Sequence, residues 1–167
     1  MSIPSDISFL KSGELTPINN SIFSKIFWVT LLFKQNRYHR YGVLLHTLKV
    51  LLGVLKARDY RFIAVALFHD IGKPVVAYQD DEDVLYGEYS FTDHEEKSYQ
   101  IVKNWFFLSD WTKNIIRYHY IIRDLKNSKK KGLDNRLKRL EFQWEDLDED
   151  FIKDLERFFI YDDYGKQ

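Results

Sequence analysis

The chain has 167 residues, 45% of them apolar and 17% aromatic, with 25 Lys+Arg against 25 Asp+Glu. That composition fits an ordered globular domain with a hydrophobic core rather than a disordered segment, and the even charge gives no bulk argument for a nucleic-acid partner. Cysteine is absent, which excludes disulfides, thiolate metal sites and a cysteine nucleophile, so any metal must be held by nitrogen and oxygen.

Residues 1–19 contain Pro4, Gly13 and Pro17 and read as a lead-in to one domain spanning 20–167. Met1-Ser2-Ile3-Pro4-Ser5-Asp6 lacks the basic start and apolar run of a signal peptide. The apolar stretch 22–33 is interrupted by Ser24 and Lys25 and is too short to cross a bilayer. The expectation is a cytoplasmic protein with no membrane partner.

Asn20 or Ser21 is expected to cap a first helix running to about Lys34, because Phe23, Ile26, Phe27, Thr30 and Phe33 recur at helical spacing. A second helix is expected over 41–57, with Leu44, Leu48, Leu51, Leu52 and Leu55 on one face. A third begins after Asp59 and ends at His69-Asp70, stopped by Gly72 and Pro74. Residues 75–91 break the pattern and fit a loop or short hairpin, with the acidic run Asp80-Asp81-Glu82-Asp83 in solvent. Thr92 and Glu95 have capping-box spacing for the next helix. Another helix should start near Ser109 or Asp110 and carry Ile115, Ile116, His119 and Ile122. Residues 127–132 read as an exposed basic loop, and a final helix is expected from about Asp148. The fold class is all-α, a compact helical bundle.

The chemistry concentrates in Leu67-Phe68-His69-Asp70-Ile71-Gly72-Lys73-Pro74. Adjacent imidazole and carboxylate groups hold a divalent metal compactly, and a lysine just beyond can face a phosphate as a point charge. His46 lies one turn from Val43 and Val50, so it points inward, and His69 continues the stripe of Phe62, Val65 and Ala66. Taken singly, each of these, like His119 beside Ile115 and Ile122, could be a hydrogen-bonded core histidine, and His94 could be surface polar. Together, four of five histidines fall on inward faces or helix ends of separate helices. Near the C-terminus, Phe151, Ile152, Leu155, Phe158 and Phe159 form a stripe. At the helical pitch Asp162 lies roughly 20° from its centre and Asp163 about 80° away. A carboxylate in an apolar stripe needs a cation to offset its desolvation. Asp162 is therefore the better ligand, with Asp163 in reserve.

The order His46, His69-Asp70, His94, His119, Asp162 resembles the HD-domain superfamily of metal-dependent phosphohydrolases. Within it, residues 35–48, with Gln35, His39 and His46-Thr47-Leu48, look like the entry motif of HD domains appended to bacterial tRNA nucleotidyltransferases. Phe91-Thr92-Asp93-His94-Glu95 with Ser98 resembles their downstream block. The nucleotidyltransferase module itself has no counterpart, so CCA addition is not implied. The resemblance implies His46, His69, Asp70 and Asp162 as a primary metal set. His94 and His119 would complete a second site or face the substrate phosphate. One or two divalent ions (Mn, Fe, Co, Ni, Zn or Mg) would be bound.

Asp70 and Lys73 would be catalytic, the aspartate by bridging metals or orienting water and the lysine by contacting phosphate. His39 and Arg123 are further substrate-binding candidates, with Arg117 and the 75–91 segment on the pocket rim. Ser98 and Thr47 would pack or support ligands by hydrogen bonds. The expected reaction is hydrolysis of a nucleotide, cyclic nucleotide or other small phosphate ester. The same ligand order also occurs in HD-fold di-iron oxygenases, and a non-catalytic metal-containing module is the third reading.

Overall fold

A computed structural model describes residues 22–33, 35–37 and 41–166. The lead-in 1–19 and His39 lie outside the described residues. The fold is all-helical: α1 (Lys25–Leu32), α2 (Val43–Ala57), α3 (Ile63–Phe68), α4 (Lys73–Val76), α5 (Asp81–Tyr86), α6 (His94–Val102), α7 (Asp110–Tyr118), α8 (Ile121–Lys131), α9 (Asp134–Glu145) and α10 (Glu149–Tyr164). No helix among the described residues is long and apolar enough to cross a membrane.

Local chemistry explains most boundaries. Ser109 Oγ accepts from Thr112 N at 3.1 Å to open α7, and Asp148 Oδ1 accepts from Phe151 N at 2.9 Å to open α10; each satisfies an N–H that has no partner inside its helix. Left-handed glycines end α5 and α8, at Gly87 and Gly132. The core collects Val50 and Val54 from α2, Phe62, Val65 and Ala66 around α3, Ile115 and Ile116 from α7, and Leu155 and Phe158 from α10.

Several expected elements differ. The first helix starts at Lys25, capped by Ser24, whose side chain accepts from Ile26 N. The leucine face of α2 is its outer one: Leu44, Leu48, Leu52 and Leu55 are exposed, while Val43, His46, Val50 and Val54 are buried. The shorter valines allow the close approach that α3 and α10 make around His46. Pro74 does not stop a helix but sits in the first turn of α4, where its missing N–H costs nothing. The acidic run is not a loop: Asp80 and Asp83 form a reciprocal capping box, and the carboxylates of α5 fall in its first turn, which favours negative charge. The hairpin reduces to a single antiparallel bridge between Tyr78 and Ser90. Thr92 does not cap α6; Asp93, at φ 56°, precedes it without a side-chain cap. The expected long helix through Ile122 breaks at His119–Tyr120 into α7 and α8, and residues 127–131, read as a loop, form the C-terminal end of α8. Helix α9 had no counterpart in the sequence reading.

Candidate metal centre

Three short breaks in the helical chain place the site. His69 is the residue after α3, His94 the first of α6, and His119 the residue after α7. At each, Nδ1 meets the carbonyl three residues back: His69 to Ala66 O at 3.0 Å, His94 to Phe91 O at 2.9 Å and His119 to Ile116 O at 2.7 Å. A carbonyl only accepts, so Nδ1 carries the proton in all three, and Nε2 of the neutral ring keeps its lone pair. All three Nε2 atoms turn toward Asp70.

Asp70 is buried between two pairs of rings. Its Oδ2 lies 3.5 Å from His46 Nε2 and 3.4 Å from His69 Nε2, and its Oδ1 lies 3.5 Å from His94 Nε2 and 3.6 Å from His119 Nε2. His46 Nε2 is also 3.2 Å from His69 Nε2 and 3.0 Å from Asp162 Oδ1. Candidate ligand atoms of His46, His69 and Asp70 lie within 4.8 Å of one another, as do those of Asp70, His94 and His119.

The donor set fits a divalent cation. Asp70 Oδ1 and His94 Nε2 make no well-formed hydrogen bond among the described residues although each is fully buried, and Asp70 Oδ2 is held by the Lys73 ammonium at 2.7 Å. Buried polar atoms in that state are costly, and lone pairs aimed at one space are what a cation needs. The nitrogen and oxygen donors suit Mn, Fe, Co, Ni or Zn.

The electrostatics keep these groups in ligand form. Burial pushes the Asp70 carboxyl up, but Lys73, His69 and His119 hold it well below the usual carboxylate range. Burial acts the same way on Asp162, and there the contact with His46, together with Lys166 and His69, prevails downward. Burial, then Lys73, drives His94 well below the ordinary histidine value. Two carboxylates stay ionised, and His94 stays neutral.

Asp162 and Asp163 separate as the helical wheel requires. Asp162 points inward to His46; Asp163 is half-exposed and pairs with Arg123 at 2.5 Å. Arg123 also reaches Asp162 Oδ2 at 3.1 Å, and Lys166 reaches the same oxygen at 3.0 Å. Arg123 thus orients a carboxylate instead of standing free on a rim. Gly165 lies against His46: a Cβ there would fall 2.9 Å from its Nδ1.

A cavity of about 320 Å³ opens beside the cluster and reaches it through Lys73 and His94. Its lining includes Asn36, Phe91, Thr92, Tyr120, Asn127, Lys131 and Arg136. The 75–91 segment contributes Ser90 and Phe91. Arg117 pairs with Glu96 at 2.8 Å and does not line this cavity. Burial raises the Tyr120 hydroxyl to about 12, so it remains a hydrogen-bond donor. Tyr120, Lys131, Arg136, Lys166 and Gly165 escaped the sequence reading. The one available signal was the i, i+4 spacing of Asn127 and Lys131, which puts both on one helical face.

A family model described as HD domain matches residues 38–149, more than half of the chain. Comparison with curated proteins and with solved structures finds no match. The matched region includes His46, His69-Asp70, His94 and His119 and stops short of Asp162. Because the match covers most of the buried cluster and the helices that build it, the chain belongs to the HD-domain family, whose members are generally metal-dependent hydrolases.

Proposed function

We propose that this protein is a metal-dependent phosphohydrolase acting on a nucleotide, a cyclic nucleotide or a related small phosphate ester. One observation carries the reading: a single buried carboxylate, Asp70, stands between two histidine pairs beside a cavity that a small molecule can enter. His46, His69, Asp70 and Asp162 would hold one divalent ion, and Asp70, His94 and His119 a second. A bound divalent ion supplies a water that ionises near neutral pH and polarises a phosphoryl oxygen.

The remaining work belongs to the chain. The i−3 carbonyls fix three imidazoles in one tautomer, so no ring must reorient to serve as ligand. Arg123 and Lys166 occupy Oδ2 of Asp162 and leave Oδ1 facing His46. Lys73, which lines the cavity, would meet a substrate phosphate. The Phe91 and Tyr120 rings and the Asn36 and Asn127 amides offer stacking and hydrogen bonds suited to a base or sugar. The likeness of residues 35–48 and 91–98 to the HD domains of tRNA nucleotidyltransferases supports a nucleotide over other esters.

The test starts with metal analysis of protein purified without added metal, followed by phosphomonoesters and phosphodiesters, nucleotides and cyclic nucleotides among them. The expected result is one to two equivalents of divalent metal and hydrolysis of at least one nucleotide ester. Iron-loaded protein that consumes oxygen while hydrolysing no ester would replace this reading with the oxygenase one.

A further inference from the structure

We infer that Lys73 is the internal counter-ion of Asp70 in the metal-free protein, and that it sets metal affinity by competing with the metal for that carboxylate. The inference rests on the metal-centre reading above and goes beyond it, because a lysine serving only substrate phosphate would leave metal affinity untouched.

The shortest side-chain contact to Asp70 among the described residues is the one from this lysine. Lys73 Nζ lies 2.7 Å from Asp70 Oδ2, whereas the four histidine Nε2 atoms approach the two Asp70 oxygens at 3.4–3.6 Å. Both side chains of the pair are almost fully buried, at 4% and 1% exposure. A buried carboxylate without a cation is costly, and here the ammonium supplies the charge. The Phe91 ring lies 5.8 Å from the ammonium. Oδ2 is also the oxygen turned toward His46 and His69. A divalent ion held by those two histidines and Asp70 therefore meets a carboxylate that the ammonium already neutralises, and it meets the ammonium as a like charge. Loading weakens the Lys73–Asp70 pair. Because Lys73 also lines the cavity, the released ammonium is on the side from which a phosphate would approach. Metal loading and readiness for an anionic substrate are thus coupled through one side chain.

The test measures divalent-metal dissociation constants by competition with a chromophoric chelator, using metal-stripped full-length protein without substrate or phosphate. Lys73→Met keeps the length and removes the charge; the expected result is at least tenfold tighter binding of Mn or Zn. Lys73→Arg keeps the charge and should stay within threefold of wild type. A second readout is thermal: Lys73→Met should melt lower than wild type when stripped, and should gain more than wild type on loading. Lys73→Gln replaces the methionine variant if that one does not fold, as judged by circular dichroism. Equal metal affinity in wild type and the charge-free variants would overturn the inference and leave the metal centre standing. Wild type that binds no divalent ion would overturn the metal centre itself, and the inference with it.

Discussion

An imidazole ligates through a bare nitrogen, so the partner of its other nitrogen decides what it can do. At His69, His94 and His119 that partner is the carbonyl three residues earlier. Removing a ring removes a ligand whose orientation was already fixed. His69→Ala or Asp70→Ala should therefore lose bound metal and activity together, as metal analysis of the purified variants would show; retention of full metal content would break the assignment. Asp162→Asn should lower metal content while Asp163→Asn leaves it near wild type, since only Asp162 reaches His46. That difference was legible in the sequence as an angle on a helical wheel. The histidines were legible as a set but not singly, because their spacing in the chain says nothing of the carbonyls that orient them. Arg123 could be placed near the site but not on Asp162, since a side chain that long reaches many partners. Gly165 was invisible for a simpler reason: its role is to contribute no atoms where His46 needs space.

At the scale of elements, the site depends on breaks rather than on helices. Gly72 lies between the His69-Asp70 turn and α4, where a Cβ would come within 2.6 Å of Ser98 N and 2.7 Å of His94 O. Both are backbone atoms of α6 and cannot step aside. Gly72 N–H also donates to Ser98 Oγ at 2.9 Å, which ties the turn to α6. Gly72→Ala should cost about 1–3 kcal/mol as an overpacked contact and shift His94 relative to Asp70, seen as lower melting temperature and weaker metal binding in one variant. Ser98→Ala leaves a buried N–H without its acceptor, at a cost of about 1–3 kcal/mol. A Gly72→Ala protein with wild-type stability and metal affinity would show the contact is not tight. Periodicity located α2, α7 and α10 because each has a long apolar stripe and a glycine or side-chain N-cap. It failed where local rules compete. The stretch 127–132 is basic and ends in Gly132, a composition that fits a solvated loop and a helix C-terminus alike. Only the burial of Ser128 against the bundle separates the two.

For the whole molecule, the cluster is a store of pH sensitivity. Asp70, Asp162 and His94 are buried, and all three are held below their ordinary values. A group whose pKa is lower folded than unfolded binds more protons when unfolded, so its contribution to stability is complete above the unfolded value and is lost as pH falls toward the folded one. For His94 the loss begins below about pH 6.5, and for the two aspartates below about pH 4. Within its window each group changes stability by up to about 1.4 kcal/mol per pH unit, or about 3–5 °C in melting temperature at this chain length. Metal-stripped protein should therefore melt progressively lower from about pH 6.5 downward, in two stages. His94→Gln should flatten the upper stage and leave the lower one in place. Metal loading adds the same sign of dependence, because protons compete with the ion for the nitrogen and oxygen donors; the rise in melting temperature on loading should shrink as pH drops. Melting curves of stripped and loaded protein from about pH 7.5 down to about pH 2.5 measure both effects and cover both stages. A stripped protein whose melting temperature is flat across pH 7.5 to 5 would mean that His94 is not held neutral by its surroundings, and that its ring reaches solvent at the mouth of the cavity.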